Sequence, residues 1–487
     1  MTNTAFDVIV IGAGPGGYVA AIRAAQAGLR TACVDVAQLG GVCNNVGCIP
    51  TKAMLESAAY AHRIEHLADF GIKVSGVELD LLRAAERARQ VADQGAKGIA
   101  YLFRKNNVTL VQGWGRLAGG GSSGRHRVTV SPIGSAVAGN PIVGIPPDPN
   151  IASATELEAA TIIIATGSRP RSLPMLKSDG NRVWSSDDAV YPKTTPASLA
   201  IIGAGAVGME FADVYESFRV KVTVIEALDR VLANEDAEIS AVVDKAFRKR
   251  GIDIITKGRI EAADVGADGV QLSVSIDGST KSITVERVLV AVGRAPVIDD
   301  IGLDAAGVHT ERGFIVTDPQ LRTNVDGIFA IGDVTKPPLL AHKAWAEAAT
   351  AIAAITGEDR PALDYTNIPS VTYCHPEVAS VGLTEERART QGIDVLVGKF
   401  PWSANGRARG MGATEGFIKL VADKATKQLL GAHLVGPWAS ELIGELTHGR
   451  LIETTLDELD FTVHPHPTLS DAIPEAALLA MGRAIHL

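Results

Sequence analysis

Cysteine is scarce in this chain, four residues in 487. That is far too few for the disulfide frameworks that hold small secreted domains together. It points to a reducing, cytoplasmic setting, or to an organellar protein whose presequence has been removed. No apolar run approaches the roughly 18 residues that read as a membrane span. The first residues, Met1 to Asp7, carry no basic n-region, so the apolar stretch after them reads as a strand and not as a signal peptide. Basic charge is in deficit as well: 46 Lys and Arg against 55 Asp and Glu leave a formal net charge of −9. That balance argues against nonspecific nucleic-acid binding and against an anionic membrane as partner. An apolar fraction of 46% fits a soluble globular protein, and 487 residues are too many for one core.

What is present is a dinucleotide fingerprint, twice. Asp7 to Ile11 reads as a buried strand, followed by Gly12-Ala13-Gly14-Pro15-Gly16-Gly17, a helical run from Tyr18 to Ala27, and a second strand from Thr31 to Val34 that ends at Asp35. The same order returns in Leu199 to Ile202, Gly203-Ala204-Gly205-Ala206-Val207-Gly208, a helix to about Phe218, and Val222 to Ile225 ending at Glu226. In both copies the acid stands 23 residues after the first glycine (12 to 35, 203 to 226). Each part has a physical task. The first glycine makes the tight turn, the second lets backbone approach a pyrophosphate, and the third lets helix pack on strand. The phosphates sit at the positive helix N-terminus, and the acid accepts hydrogen bonds from ribose hydroxyls. A lone G-x-G-x-x-G is weak evidence; two complete copies imply two bound dinucleotides and electron transfer between them.

Between the two copies, Cys43 and Cys48 flank Asn44-Asn45-Val46-Gly47 just after the first fingerprint. A regular helix would place their Cα atoms roughly 8 to 9 Å apart, beyond the limit of about 7 Å for a disulfide. The backbone must therefore distort, and Gly47 makes that cheap. A strained disulfide beside a cofactor is easily reduced, which suits catalysis. Two unrelated buried thiols, or half of a metal site, are the alternatives; zinc ligands are usually spaced more closely and need two further partners. Cys33 and Cys374 are isolated.

The remainder is read more coarsely. Gly119 to Gly124 and the Pro/Gly-rich stretch from Ser131 to Pro149 read as hairpin turns and a surface excursion. Thr161 to Ala165 and Val288 to Val292 are buried strands that mark chain crossings between nucleotide domains, and Ile328 to Ile331 is a strand ending in Gly332-Asp333. The expected architecture is α/β, with two Rossmann-like dinucleotide-binding domains and a C-terminal α+β domain. The boundaries are expected at 1–160 (with the cysteine pair), 161–290, a central segment 291–360, and 361–487. His62-Arg63-Ile64-Glu65-His66 fits the H-x-x-E-H zinc peptidase pattern, but nothing nearby supports it, and a solvated helix face is the expected reading.

The cysteine segment, both fingerprints, Ala330-Ile331-Gly332-Asp333 and His464-Pro465-His466-Pro467-Thr468-Leu469-Ser470 together resemble the dihydrolipoamide dehydrogenase family of class I pyridine nucleotide-disulfide oxidoreductases, from Phe6 to the C-terminus. The resemblance implies FAD on the first fingerprint, with Gly12, Gly14 and Gly17 at the pyrophosphate and Asp35, where many relatives have Glu, on the ribose. Lys52 would lie near the flavin and pair with Glu210. Gly115 and Gly167 would line the adenosine side, Asp333 would hold the ribityl chain, and Leu340, Ala341 and His342 would run along the flavin. Gly203, Gly205, Gly208, Glu226 and Gly293 would bind the nicotinamide cofactor, with Glu226 favouring NAD over NADP. Cys43 would exchange with a dithiol substrate and Cys48 would face the flavin. His466 would be the base, supplied across a homodimer to the partner's disulfide. The family orients this His with a Glu; here the position is Asp471, one methylene shorter, so the backbone moves inward, a water bridges, or the base is held less tightly. Asp471 as a helix N-cap is the competing reading, and Glu475 is a further candidate for the orienting role.

This set suits sulfur chemistry. A thiolate attacks a disulfide, a histidine near neutral pKa removes the proton, and a carboxylate fixes its tautomer. The implied activity is NAD-dependent oxidation of protein-bound dihydrolipoamide in 2-oxo acid dehydrogenase or glycine cleavage complexes, whose lipoyl domains would be partners. A sister disulfide reductase is the first alternative, though the chain has no thiol pair after Cys374 and Glu226 opposes NADP. A complex-docking component with secondary turnover is the other.

Overall fold

The computed structural model describes residues 4–36, 38–120, 124–132 and 154–487. Most of the glycine- and proline-rich excursion between Gly119 and Pro149 lies outside them. The chain divides into two compact units, one made of residues 1–53, 83–171 and 294–363, the other of residues 54–82, 172–293 and 364–487.

The first unit is built on a seven-stranded sheet. Its central strands Thr109–Gln112, Thr31–Asp35, Ala5–Ile11 and Thr155–Ile164 are parallel, and Ile328–Ala330 joins Thr155–Ile164 in parallel as well. The strands His126–Ser131 and Trp114–Gly120 extend the other side as an antiparallel hairpin. Strands buried on both faces read as continuous apolar runs, and Val8 to Ile11 behaves so, while Asp7 is exposed. Val8 and Val10 pack with Ala20, Ala24, Ala348 and Ile352, while Ile9 and Ile11 pack with Leu117, Val128 and Ile162 on the opposite face. The helix Pro15–Gln26 carries small residues where it approaches the helix Ala341–Thr356; a Cβ on Gly16 would come within 3.2 Å of Ala344 Cβ.

The second unit repeats the nucleotide fold and adds the C-terminal region. Asp253–Ile255, Lys221–Ile225, Ser198–Ile202, Arg287–Val290 and Val183–Trp184 form a five-stranded parallel sheet. A separate five-stranded antiparallel sheet runs Ser370–Thr372, Glu377–Gly382, Leu429–Gly436, Phe417–Asp423, Val395–Pro401. The apolar helix Ala472–Ala480 lies against its edge strand so closely that a Cβ on Gly398 would meet Ala476 O at 1.9 Å. That contact sets where the N-terminus of this helix, and Asp471 with it, stands. In both nucleotide folds the strand expected at a chain crossing sits beside the fingerprint strand, at Thr155–Ile164 and Arg287–Val290.

Candidate redox and cofactor site

The two fingerprints adopt the same geometry glycine by glycine. Gly12 and Gly203 both have φ of +104°, the left-handed turn that an L side chain rarely adopts. A Cβ on Gly17 would fall 1.8 Å from Gly12 O, and one on Gly208 would fall 1.9 Å from Gly203 O, so the third glycine is needed for helix and strand to touch. Above the second glycine there is open space: nothing lies within 4 Å of a Cβ built on Gly14 or on Gly205. This is the cradle a pyrophosphate requires, next to the first N–H groups of the helices Pro15–Gln26 and Ala206–Ser217. The residues therefore fit a dinucleotide at each site. The acids do more than the sequence suggests. Asp35 Oδ2 accepts from Ala13 N–H, and Glu226 accepts from Ala204 N–H at 2.7 Å and Leu228 N–H at 2.8 Å. Each carboxylate thus pins the turn between the first two glycines.

The cysteine segment is anchored directly to the first fingerprint. Gly40 and Gly41 have φ of +99° and +59°, and a Cβ on Gly41 would come within 2.6 Å of Gly14 Cα. Cys43 lies in the short helix Gly41–Asn45, and Cys48 opens the helix Cys48–Glu65. The distortion between them is this break. Gly47 serves it through size, not through an unusual φ: a Cβ there would press on Val42 O at 3.0 Å and Cys43 Cα at 3.3 Å. Two residues that sequence reading passed over hold the segment in place. The buried Asn45 amide donates to the carbonyls of Gln38, Leu39 and Gly41 at 2.9, 3.2 and 2.9 Å. Buried Asn44 donates to Ala92 O at 2.9 Å, and Gly95 leaves room for it, since a Cβ there would sit 2.1 Å from Asn44 Oδ1. A buried amide beside a glycine is too common a pattern to stand out in one sequence.

The Cys43 and Cys48 thiols are hydrogen-bonded to each other. The Cys48 sulfur holds the Cys43 proton well above the ordinary thiol range; burial adds to this, and the Lys52 charge opposes it. Tyr18, from the fingerprint helix, is raised by burial and by facing Cys43. Cys33 and Cys374 are buried and pushed up chiefly by desolvation, and no cluster of metal-ligating side chains occurs among the described residues.

The other expected cofactor residues of the first unit stand on its strands, turns and helix starts. Gly115 leaves Ile11 and Val34 room, each 3.0 Å from where its Cβ would be. Gly167, at φ +75° with open space beside it, lies between the strands Thr155–Ile164 and Ser168–Pro170. Asp333 sits in the turn Gly332–Val334, its carboxylate accepting from Ser168 Oγ–H. Leu340 caps, and Ala341 and His342 begin, the helix Ala341–Thr356.

In the second unit, Gly293 has φ of +101° with open space beside it, and buried Glu210 accepts from Tyr373 N–H at 3.0 Å. His466 and Asp471 come together: Nδ1 lies 2.8 Å from Oδ2. Asp471 occupies the N-terminal position of the helix Ala472–Ala480 but makes no side-chain capping bond. Its other oxygen accepts from Asn405 Nδ2 at 2.5 Å, and Asn405 also donates to Thr468 O at 3.0 Å. Glu475 is engaged elsewhere, 2.7 Å from His486 Nδ1. In the His62-Arg63-Ile64-Glu65-His66 segment, Arg63, Glu65 and His66 are exposed, as expected of a solvated helix face. His62 is half-buried and lines a polar cavity of about 220 Å³ with Glu65, Glu216 and Arg250. Burial, then the Arg250 charge, pushes its imidazole down. Arg250 in turn pairs with buried Asp213 at 2.6 Å, which also takes His375 Nδ1 at 2.8 Å.

A profile of the pyridine nucleotide-disulphide oxidoreductase family matches residues 6–348, and one of the dimerisation domain of that family matches residues 368–477. The dihydrolipoyl dehydrogenase of Zymomonas mobilis is 44% identical over 99% of this chain and 99% of its own. That of Rhizobium etli is 42% identical, again over 99% of each. Among solved structures, LpdA from Mycobacterium tuberculosis is similar with a TM-score of 0.87 at 27% identity, covering 97% of this chain and 99% of its own. The HOCl-induced flavoprotein disulfide reductase RclA from Escherichia coli follows at 0.82 and 27%, with the same coverage.

Proposed function

Because the chain belongs to the pyridine nucleotide-disulphide oxidoreductase family, we propose that it is a homodimeric dihydrolipoyl dehydrogenase, oxidising protein-bound dihydrolipoamide to lipoamide with FAD and NAD as cofactors. The observation that carries this reading is the contact between the Cys43 and Cys48 thiols on a segment pressed against the first fingerprint. Among the described residues the remaining cysteines are buried and isolated, so no second thiol pair points to another disulfide substrate.

The chain's own residues divide the work. Gly12, Gly14, Gly17, Asp35, Gly115, Gly167, Asp333 and the Leu340-Ala341-His342 turn would hold FAD; Gly203, Gly205, Gly208, Glu226 and Gly293 would hold NAD. Once bound, FAD supplies the two-electron link that takes electrons from sulfur and delivers hydride to NAD. His466 is 79% exposed at its side chain, and Asp471 fixes its Nδ1. It serves the disulfide of the other subunit, consistent with the dimerisation profile that includes both residues. His466 removes the proton from one substrate thiol. The thiolate attacks Cys43, forming a mixed disulfide and breaking the bond to Cys48, which leaves as thiolate. The second substrate sulfur, losing its own proton, then displaces Cys43. Oxidised lipoamide departs and Cys43 takes up a proton. The Cys48 sulfur, with burial, opposes ionisation of Cys43. The Lys52 charge works against this, favouring a thiolate at Cys43.

Lipoyl domains of 2-oxo acid dehydrogenase or glycine cleavage complexes are the proposed partners, and cytoplasm the proposed compartment. No helix among the described residues is long and apolar enough to cross a membrane. The test is steady-state NADH formation from dihydrolipoamide by Cys43→Ser holoenzyme. Loss of turnover is expected; undiminished turnover would refute the mechanism.

A further inference from the structure

Lys343 and Glu347 stand one turn apart in the helix Ala341–Thr356, and both side chains are 0% exposed. Their charged atoms lie 3.3 Å apart. A buried ion pair gives little net stability against an apolar pair of the same volume, because desolvation offsets the Coulomb attraction. What an apolar pair cannot do is satisfy polar backbone. Here Lys343 Nζ donates to Gly332 O at 3.0 Å and to Lys336 O at 2.8 Å, and it meets Thr335 Oγ1 at 3.0 Å. Glu347 Oε2 accepts from Gly332 N–H at 2.6 Å, and Thr335 Oγ1 is 3.2 Å from Oε1. All these bonds converge on Gly332 to Lys336, the turn that presents Asp333. Gly332 itself has φ of +76°. The Asp333 carboxylate is steadied from another side by Ser168, whose Oγ accepts from Arg294 Nε at 2.8 Å.

We infer that Lys343 and Glu347 are positioning residues that act through Asp333: they clamp both ends of its turn and so hold its carboxylate where the FAD ribityl chain binds. The inference rests on the placing of Asp333 at the cofactor, but not on the identity of the dithiol substrate.

The test is a double-mutant cycle on FAD affinity, read as flavin fluorescence released when holoenzyme is diluted. Asp333→Ala is expected to weaken FAD binding about tenfold or more, the loss of one hydrogen bond to a charged group. Glu347→Gln is expected to weaken it by a similar factor in the native background and by less than about twofold in the Asp333→Ala background, since coupled residues are not additive. Equal losses in both backgrounds would overturn the inference, as would a lowered Tm with unchanged FAD affinity. Undiminished affinity in Asp333→Ala would overturn it at its base and identify the placing of Asp333 as the error. If Glu347→Gln yields no folded holoenzyme, Thr335→Val, which removes the hydroxyl shared by both charged side chains, is carried through the same cycle and judged by the same outcomes.

Discussion

Asp471 reaches His466 directly, Oδ2 to Nδ1 at 2.8 Å, although its side chain is a methylene shorter than the glutamate that the resemblance led us to expect there. The backbone makes up the difference. Asp471 stands in helical conformation (φ −67°, ψ −7°) at the head of Ala472–Ala480, and Asn405 holds its second oxygen. It makes no side-chain capping bond to the helix, which supports the proposed orienting role over capping.

Asp471→Asn should therefore lower dihydrolipoamide turnover about 10- to 100-fold, the usual cost of losing an orienting partner, with flavin content unchanged. The check is kcat alongside the flavin-to-protein absorbance ratio. Full activity would mean the ring is oriented by another group.

Asn405→Ala should lower kcat in the same direction but less, by about tenfold at most. It should also cost about 1 kcal/mol of stability, because Asn405 Oδ1 caps the short helix Gly406–Gly410 through Ala408 N–H at 2.8 Å. Kinetics and thermal unfolding on the same preparation separate the two effects.

Thiol counting tests the redox pair. Only Cys43 and Cys48 are other than buried, so native enzyme reduced by one equivalent of dithiol should gain two reactive thiols per chain. Cys48→Ser should expose one without reduction. An unchanged count on reduction would remove the disulfide from the mechanism.

Glu226 is proposed to set cofactor choice. Its carboxylate is fixed by two backbone amides and cannot swing away from a 2′-phosphate. Like-charge juxtaposition costs several kcal/mol, so kcat/KM for NADH should exceed that for NADPH by about 100-fold or more. Comparable values would overturn the reading.

Acid stability should report Asp213. Burial alone would raise its pKa, but the Arg250 charge and the His375 hydrogen bond outweigh this and hold it at about 2. A carboxyl depressed in the folded state adds stability above its unfolded pKa of about 4 and loses it as pH falls toward the folded value. The contribution is about 2 kcal/mol, fully present above about pH 4 and lost between about 4 and 2. His375, raised because Asp213 outweighs its burial, works in the opposite sense, adding stability below about pH 6.5 and losing it as pH rises through its folded value. Asp213→Asn should flatten both limbs in urea titrations across pH; an unaltered profile would show that the pair contributes nothing.

How much of this was legible in the sequence depends on distance along the chain. The fingerprints, their acids and the cysteine pair are local: a turn with φ of +104° and a third glycine whose Cβ would fall 1.8 to 1.9 Å from a carbonyl oxygen leave few residues to choose from, so spacing alone exposes them. The clamp of Lys343 and Glu347 on Gly332, the amides of Asn44 and Asn45, and the hold of Asn405 on Asp471 were not legible. Each joins ordinary residue types whose pairing no local pattern marks. The Asp213, Arg250 and His375 cluster joins segments 37 and 162 residues apart for the same reason. Sequence determined which backbone conformations were available and hence which cofactors the chain can accept. Tertiary structure alone decided which side chains lost their water and which partners replaced it, because burial is a property of packed elements and not of any one stretch of chain.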